Sequence, residues 1–236
     1  MICLAFDSTA KAASVAVTRD DTLLALYTVD NGLTQSELLL PMAEDVLRSL
    51  KLGFDDIDLY AVSVGPGSFT GVRIGVALVK GIAFGKGKPC VAVSTVEALA
   101  DNLLGLRGVY APCMDARRGQ VYTAIFENRD GELVRLTEDM AISLTELGER
   151  LSAYEAPIYL SGDGYSSARG ALLGMGLTIE ATPELLLREN AYSVARVAVR
   201  KYKAGEFVSD SELTPTYLRL PQAERERLER LKVEEG

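Results

Sequence analysis

Four features of this chain carry groups able to do chemistry: two carboxylates that close apolar runs and two glycine turns that open helical stretches. Asp7 ends the run in Ala5-Phe6-Asp7-Ser8-Thr9, and Asp115 ends that in Cys113-Met114-Asp115-Ala116-Arg117. Gly65-Pro66-Gly67-Ser68 stands between an apolar run and a helical segment, and Gly162-Asp163-Gly164-Tyr165 repeats the arrangement in the second half. A glycine turn between a strand and a helix bends tightly and aims backbone amides at whatever lies above it, which makes an anion site. Two carboxylates beside two such turns are the parts from which a Mg-nucleotide site is built. Asp7, Ser8, Thr9, Gly65, Gly67, Ser68, Asp115, Gly162 and Gly164 are therefore expected to face one cleft descended from a nucleotide site. Taken singly, each half has a plainer account, in which the aspartates start turns and the glycines relieve strain. The doubling raises the cleft to equal standing with that account.

The stricter signatures fail. A dinucleotide fingerprint needs glycine where Thr70 stands, and neither Gly85-Lys86 nor Gly87-Lys88 completes a P-loop. Ser68 lies outside a nucleophile elbow. The 236 residues include no histidine, which removes the Ser-His-Asp triad, the Cys-His pair and every histidine metal site. No metal site and no catalytic residue are expected.

Composition narrows the setting. With 48% hydrophobic and 25% charged residues the chain is an ordinary globular protein, and its net charge of −8 argues against direct, nonspecific nucleic-acid binding. Cys3, Cys90 and Cys113 sit singly in apolar runs, as reduced, buried thiols do. No apolar run approaches the roughly 20 residues of a membrane span, and Met1 leads straight into a strand, with no room for a leader. A cytoplasmic protein is expected.

The elements that must position the cleft are spelled twice. Residues 1–6, 12–18 and 22–29 read as strands, and 36–50 as a helix with Pro41 near its first turn. A strand at 59–64, a helix at 69–85, a strand at 89–93 and a helix at 94–104 follow. The second half reads as strands at 109–114, 120–126 and 133–136, a helix at 144–151, a strand at 157–160 and a helix at 165–173. A strand at 177–181 and a helix at 191–203 complete it. Ser94 with Glu97 and Ser143 with Glu146 have capping-box spacing. Both halves spell β-β-β-α-β-α-β-α, so two α/β domains of one topology are expected to pack face to face with a boundary near 105–108.

Three further features stay open between two readings. Gly71 and Gly75 lie one turn apart on the 69–85 helix, which suits close packing on the chain's own sheet or a helix from another molecule. Arg117 and Arg118 could clamp a phosphate or carboxylate, or simply cap a solvated hairpin. Residues 221–235 alternate charge, with Glu226 and Arg230 spaced for pairing, as a partner-docking helix or a frayed end would be.

The motifs together resemble a known family. Phe6-Asp7-Ser8-Thr9, Gln35-Ser36-Glu37-Leu38-Leu39-Leu40-Pro41, the stretch from Gly65 to Gly75, Asp115-Ala116-Arg117-Arg118-Gly119-Gln120-Val121-Tyr122, Gly162-Asp163-Gly164 and Pro215-Thr216-Tyr217-Leu218-Arg219 resemble the bacterial TsaB (YeaZ) family. The resemblance implies two tandem RNase H-like domains of the actin/sugar-kinase/Hsp70 superfamily. These would be residues 1–106, with the interaction surface, and 107–220, followed by a charged helix at 221–236. It implies an accessory role in forming N6-threonylcarbamoyladenosine beside the anticodon of tRNAs that read ANN codons. Implied partners are a TsaD-type transferase, a TsaE-type ATPase and, for the chain alone, a second copy of itself, with tRNA reached only through the complex. No cofactor of its own is implied, and ATP or ADP belongs to the assembly. The interaction surface would involve Leu39, Met42, Val46, Gly71, Val72, Gly75, Val76 and Val79. TsaD-like proteins hold a metal through two histidines; the matching positions here are Thr95 and Leu99, which cannot bind one. Many relatives carry histidine where this chain has Gln35. The rival reading is a small kinase or ATPase of the same superfamily using Asp7 and Asp115, and a third is regulatory nucleotide binding.

Overall fold

The computed structural model describes residues 1–219. The charged segment expected as a helix at 221–236 lies outside the described residues.

The first sheet is built by β1 (Ile2–Asp7), β2 (Ala13–Arg19), β3 (Thr22–Val29), β4 (Leu59–Gly65) and β5 (Cys90–Ser94), in the order β3-β2-β1-β4-β5. β1 to β3 form an antiparallel meander, and β4 and β5 add on parallel to β1. β1 and β4 carry apolar side chains on both faces because both faces are covered. On one side Leu4, Phe6 and Val62 pack with α1 (Gln35–Ser49) and α2 (Phe69–Ala83). On the other, Cys3, Ala5 and Ala61 pack with α6 (Ala191–Lys203). α1 starts one residue before its expected position, at the Thr34 cap, so Pro41 falls in the second turn and forgoes an intrahelical hydrogen bond.

The second half holds two sheets. One has the order β10-β9-β6-β12, from β6 (Val109–Pro112), β9 (Phe126–Arg129), β10 (Glu132–Arg135) and β12 (Ile158–Ser161). The other has the order β11-β8-β7, from β7 (Met114–Asp115), β8 (Gln120–Thr123) and β11 (Met140–Ser143). α4 (Leu144–Leu151) and α5 (Tyr165–Gly174) pack with Val109, Ala111 and Leu160 in one core.

The structure departs from the expected repeat at several places, the first being the strand expected at 109–114, which splits at Cys113 into β6 and β7 in different sheets. The single strand expected at 120–126 breaks at Ala124-Ile125. There the Ile125 amide donates to the Thr137 hydroxyl (2.8 Å) and its carbonyl accepts the Leu136 amide (2.8 Å), so the chain leaves one ladder and enters another. β11 was not expected at all. The strand expected at 177–181 is one bridge, Ile158 to Ile179. The largest departure is α6, expected within the second half, which lies on the first sheet. Its face of Ala191, Val194, Ala195 and Ala198 fits the small residues Cys3, Ala5, Ala16 and Ala61. Conversely α3 (Thr95–Asn102), last in the first half, packs Val96, Leu99 and Ala100 against Tyr110 and Phe126 of the second. The two helices are tied together at Asp101, fully buried, whose carboxylate lies 2.6 Å from both Arg196 and Arg200. Ser94 and Ser143 cap α3 and α4 as expected, while Glu97 turns to Arg135 and Glu146 to Arg150.

Candidate functional site

The loops after β1, β4, β7 and β12 meet around a cleft of about 880 Å³ between the halves. Thr9, Gly67, Ser68, Asp115 and Gly162 line it, joined by Asp163 and Glu189. Asp7 lies at the end of β1, only 1% exposed. Ser8 is buried behind it, Gly65 is the last residue of β4, and Gly164 precedes α5.

Most polar groups that a phosphate chain would need are already engaged. The Asp7 carboxylate accepts the Thr9 amide (2.9 Å), the Thr9 hydroxyl (2.8 Å) and the Ser63 hydroxyl (2.6 Å). Burial raises its pKa and these three donors oppose the rise. The Ser68 amide donates to the Thr9 carbonyl (2.7 Å), and the Ser68 hydroxyl accepts the Gly71 amide (3.2 Å). In the second turn the Gly162 amide donates to Leu187 (2.6 Å) and the Gly164 amide to Cys113 (2.9 Å). The Asp115 amide donates to Asp163 (2.8 Å), and the Asp115 carboxylate accepts the Arg117 amide (2.8 Å).

The charged lining is mixed, with Lys11, Arg117, Arg188 and Arg219 beside Asp30, Asp115, Asp163 and Glu189. Burial, then repulsion from Asp115, push the Asp163 carboxyl up. Glu189, 6% exposed, is pushed to about 8 by burial and by the nearby Asp7. Its Oε1 has no hydrogen-bond partner. Nothing in the sequence pointed to Glu189, which stands one residue before the Asn190 cap of α6 and reads as part of that cap. Asp163 was visible only as the middle of a glycine turn.

A strap closes one end of the cleft. Thr216 donates to the Val64 carbonyl (2.8 Å), Tyr217 stacks on Phe69 at 4.8 Å, and its hydroxyl accepts Arg73 (2.8 Å). Two residues on, Arg219 donates to the Ala116 carbonyl (3.2 Å) and to Gln120. The strap thus joins the start of α2 to the β7–β8 hairpin. At the tip of that hairpin Arg117 and Arg118 hold φ of 67° and 55°, and Arg117 lies 3.9 Å from Asp115.

The eight residues expected at a protein interface lie in the protein's own core. Leu39, Met42, Val46, Val72, Val76 and Val79 are at most 5% exposed and pack on the first sheet. Gly71 and Gly75 are buried beside Ser8: a Cβ at Gly71 would sit 2.0 Å from the Ser8 carbonyl oxygen, and one at Gly75 2.4 Å from its hydroxyl. The two glycines let α2 approach the β1–β2 turn. What stays open between α1 and α2 is an apolar groove of about 280 Å³, lined by Leu40, Ile74, Ala77 and Leu78 with Gln35 and Ser36 at one end. Gln35 donates to the carbonyls of Ala10 (2.9 Å) and Lys11 (3.3 Å), tying α1 to the turn after β1. Thr95 and Leu99 are buried in the core, and no group of three or more metal-ligating side chains converges among the described residues. No described helix is long and apolar enough to cross a membrane.

Comparison with known proteins agrees with this architecture. Residues 34–221 match the family model described as TsaD, tRNA N6-adenosine threonylcarbamoyltransferase. The tRNA threonylcarbamoyladenosine biosynthesis protein TsaB of Bacillus subtilis is 31% identical over 229 residues, 97% of this chain and 99% of that one. The structure of YeaZ from Pseudomonas aeruginosa superposes with a TM-score of 0.76 at 26% identity, over 92% of this chain and 99% of that one. The activator of the 2-hydroxyisocaproyl-CoA dehydratase from Clostridium difficile, with bound ADPNP, superposes at 0.50 and 11% identity, over 87% and 97% of the two chains. That last likeness shows the fold alone. Likeness over nearly the whole chain, with the motifs at Asp7, Gly65 to Gly75 and Asp115 gathered at one cleft, shows that the chain belongs to the TsaB (YeaZ) family of tRNA threonylcarbamoyladenosine biosynthesis proteins.

Proposed function

We propose that this chain is a non-catalytic accessory subunit in threonylcarbamoylation of tRNA, and that it supports a TsaD-type transferase. The observation that carries the reading is the state of the cleft. Asp7 and the turn amides at Thr9, Ser68, Gly162 and Gly164 are engaged within the protein. A kinase of this fold needs those groups for Mg-nucleotide. The partner docks on the α1–α2 face, where the groove of Leu40, Ile74, Ala77 and Leu78 is an apolar surface next to a rigid core. The chain alone pairs with a second copy through the same face, so homodimer and mixed complex exclude one another. A TsaE-type ATPase joins the assembly, ATP or ADP is held there, and tRNA is reached through the complex in the cytoplasm.

Analytical ultracentrifugation of the chain mixed with a TsaD-type subunit from the same organism tests this. The expected result is a shift from homodimer to mixed complex, lost in both forms when Ala77→Arg fills the groove without touching the core. No association, together with tight MgATP binding by the chain alone, would overturn the reading and favour the kinase.

A further inference from the structure

An open sheet edge invites a strand from another molecule, and folded proteins blunt their edges with charges, proline, short strands or a covering segment. The edges of this protein are treated in that way with one exception. β5 is covered by Val208, which exchanges two hydrogen bonds of 2.9 Å with Cys90, and β12 by the bridge from Ile158 to Ile179. β10 has four residues with Glu132 and Arg135 at its ends, β11 has four and runs directly into α4, and β7 has two. β3, at the edge of the first sheet, has eight residues, Thr22-Leu23-Leu24-Ala25-Leu26-Tyr27-Thr28-Val29, with no charge, proline or glycine among them. Among the described residues its backbone bonds to β2 alone, and Leu23, Leu26 and Tyr27 are exposed. The acids that flank it are each paired: Asp20 with the amino terminus (2.9 Å), Asp21 with Lys203 (3.5 Å) and Asp30 with Arg188 (3.1 Å). We propose that β3 is a self-association edge, at which a second copy of this chain lays its own β3 antiparallel and joins two five-stranded sheets into one.

Two observations select a second copy as the occupant. A bulge sets Leu24 apart, since Val17 pairs with Ala25 and Thr18 with Leu23, and residues 25–29 are left as the regular run. That run is complementary to itself about a two-fold axis at Tyr27. Tyr27 then stands opposite Tyr27 of the second copy, Leu26 opposite Thr28 and Ala25 opposite Val29, so every pair joins residues of one face, as the pleat requires. Aromatic and β-branched residues are the types that pair well across strands. Charge makes the second selection. Two copies with a net charge of −8 repel one another, and an uncharged strand flanked by paired acids is a place where that repulsion is weak. A ladder of five residues is smaller than a standard interface, so the contact is a weak one. It is separate from the α1–α2 face, and either can fail without the other.

Sedimentation velocity from about 1 μM to about 1 mM tests this on the wild type, Ala77→Arg, Tyr27→Lys and Tyr27→Glu. With two separate pairing faces the wild type should grow beyond a dimer as concentration rises, whereas Tyr27→Lys should stop at the dimer. Ala77→Arg should still pair through β3. Tyr27→Lys should weaken the β3 contact about tenfold, because it removes an aromatic pair and sets two like charges directly opposite. Mixing Tyr27→Lys with Tyr27→Glu at low salt should restore pairing, which damage to the fold would not do. In hydrogen exchange, the amides of residues 25–29 that do not bond to β2 should slow as concentration rises. Failure of the helix-face reading alone would appear as Ala77→Arg matching the wild type while Tyr27→Lys still loses its pairing, and would support the β3 contact. Unchanged growth of Tyr27→Lys, no rescue in the mixture, or protection of those amides by a TsaD-type subunit but not by rising concentration would each overturn the proposal.

Discussion

Replacing Gly71 by alanine should destabilise the protein even though alanine is the better helix former. The new Cβ would sit 2.0 Å from the Ser8 carbonyl oxygen, a main-chain atom of the β1–β2 turn that cannot swing aside. Overpacking of this kind costs about 1–3 kcal/mol, with the upper end expected where the backbone itself must shift. The helix-propensity gain returns at most about 1 kcal/mol. The net loss of about 2 kcal/mol corresponds to a fall in Tm of roughly 4–8 °C for a chain of this size. Gly75→Ala meets a different obstacle, the Ser8 hydroxyl at 2.4 Å, with Val62 at 3.2 Å. That hydroxyl can rotate, but only by giving up its 2.8 Å bond to the Gly71 carbonyl. A smaller loss of about 1 kcal/mol follows. Ser8→Ala removes the hydroxyl and leaves the Ser8 Cβ 3.8 Å from the new methyl group, an ordinary contact. In the Ser8→Ala background Gly75→Ala should therefore become neutral or stabilising, while Gly71→Ala keeps its full cost. Urea and thermal denaturation of the three single and two double variants measure this. A Gly71→Ala variant as stable as wild type, or rescue of both glycine variants by Ser8→Ala, would refute the claim that the glycines exist for this close approach.

Glu189 has a folded pKa of about 8, raised from its ordinary 4.5, so its protonated form favours the folded state. Its contribution is full below about pH 4.5 and is lost as pH rises through 8. Thermal melts of Glu189→Gln should thus match wild type in acid and exceed it progressively towards pH 8; parallel pH profiles would contradict the burial argument. Asp101→Ala should cost about 2–3 kcal/mol in urea titrations, below the 3–5 typical of a broken buried pair because Arg196 and Arg200 keep 29% and 46% of their surface in solvent. A loss under about 0.5 kcal/mol would rank it with exposed pairs. Arg219→Ala should raise amide exchange in the β7–β8 hairpin and leave α1 and α2 protected, since it releases only the far end of the strap. Uniform exchange changes across the chain would argue against a local latch.

The strands and helices of the first half were legible because their periodicities are clean. β1 and β4 read as short apolar runs, and α1 and α2 as stripes at helical spacing. Periodicity announces a buried face without saying whose core buries it. Leu39, Met42, Val72 and Val76, which the family resemblance assigns to an interaction surface, fill the chain's own first core, and α6 seats on the first sheet rather than within the second half. The small residues that seat α6 on the first sheet, Cys3, Ala5, Ala16 and Ala61, lie more than 100 residues away, beyond any local pattern. The break at Ala124-Ile125 was hidden for the same reason, since it depends on the hydroxyl of Thr137.

Residue types and turn positions located the cleft, but its chemistry depends on long-range hydrogen bonds. Asp7 at a strand end looks like a phosphate or metal ligand until Ser63, contributed by the neighbouring strand, is seen donating to it at 2.6 Å. Glycine turns look like anion cradles until their amides are followed to Thr9, Leu187 and Cys113. An anion entering this cleft would have to displace those bonds and settle beside Asp115 and Asp163, the latter pushed up by burial and then by Asp115.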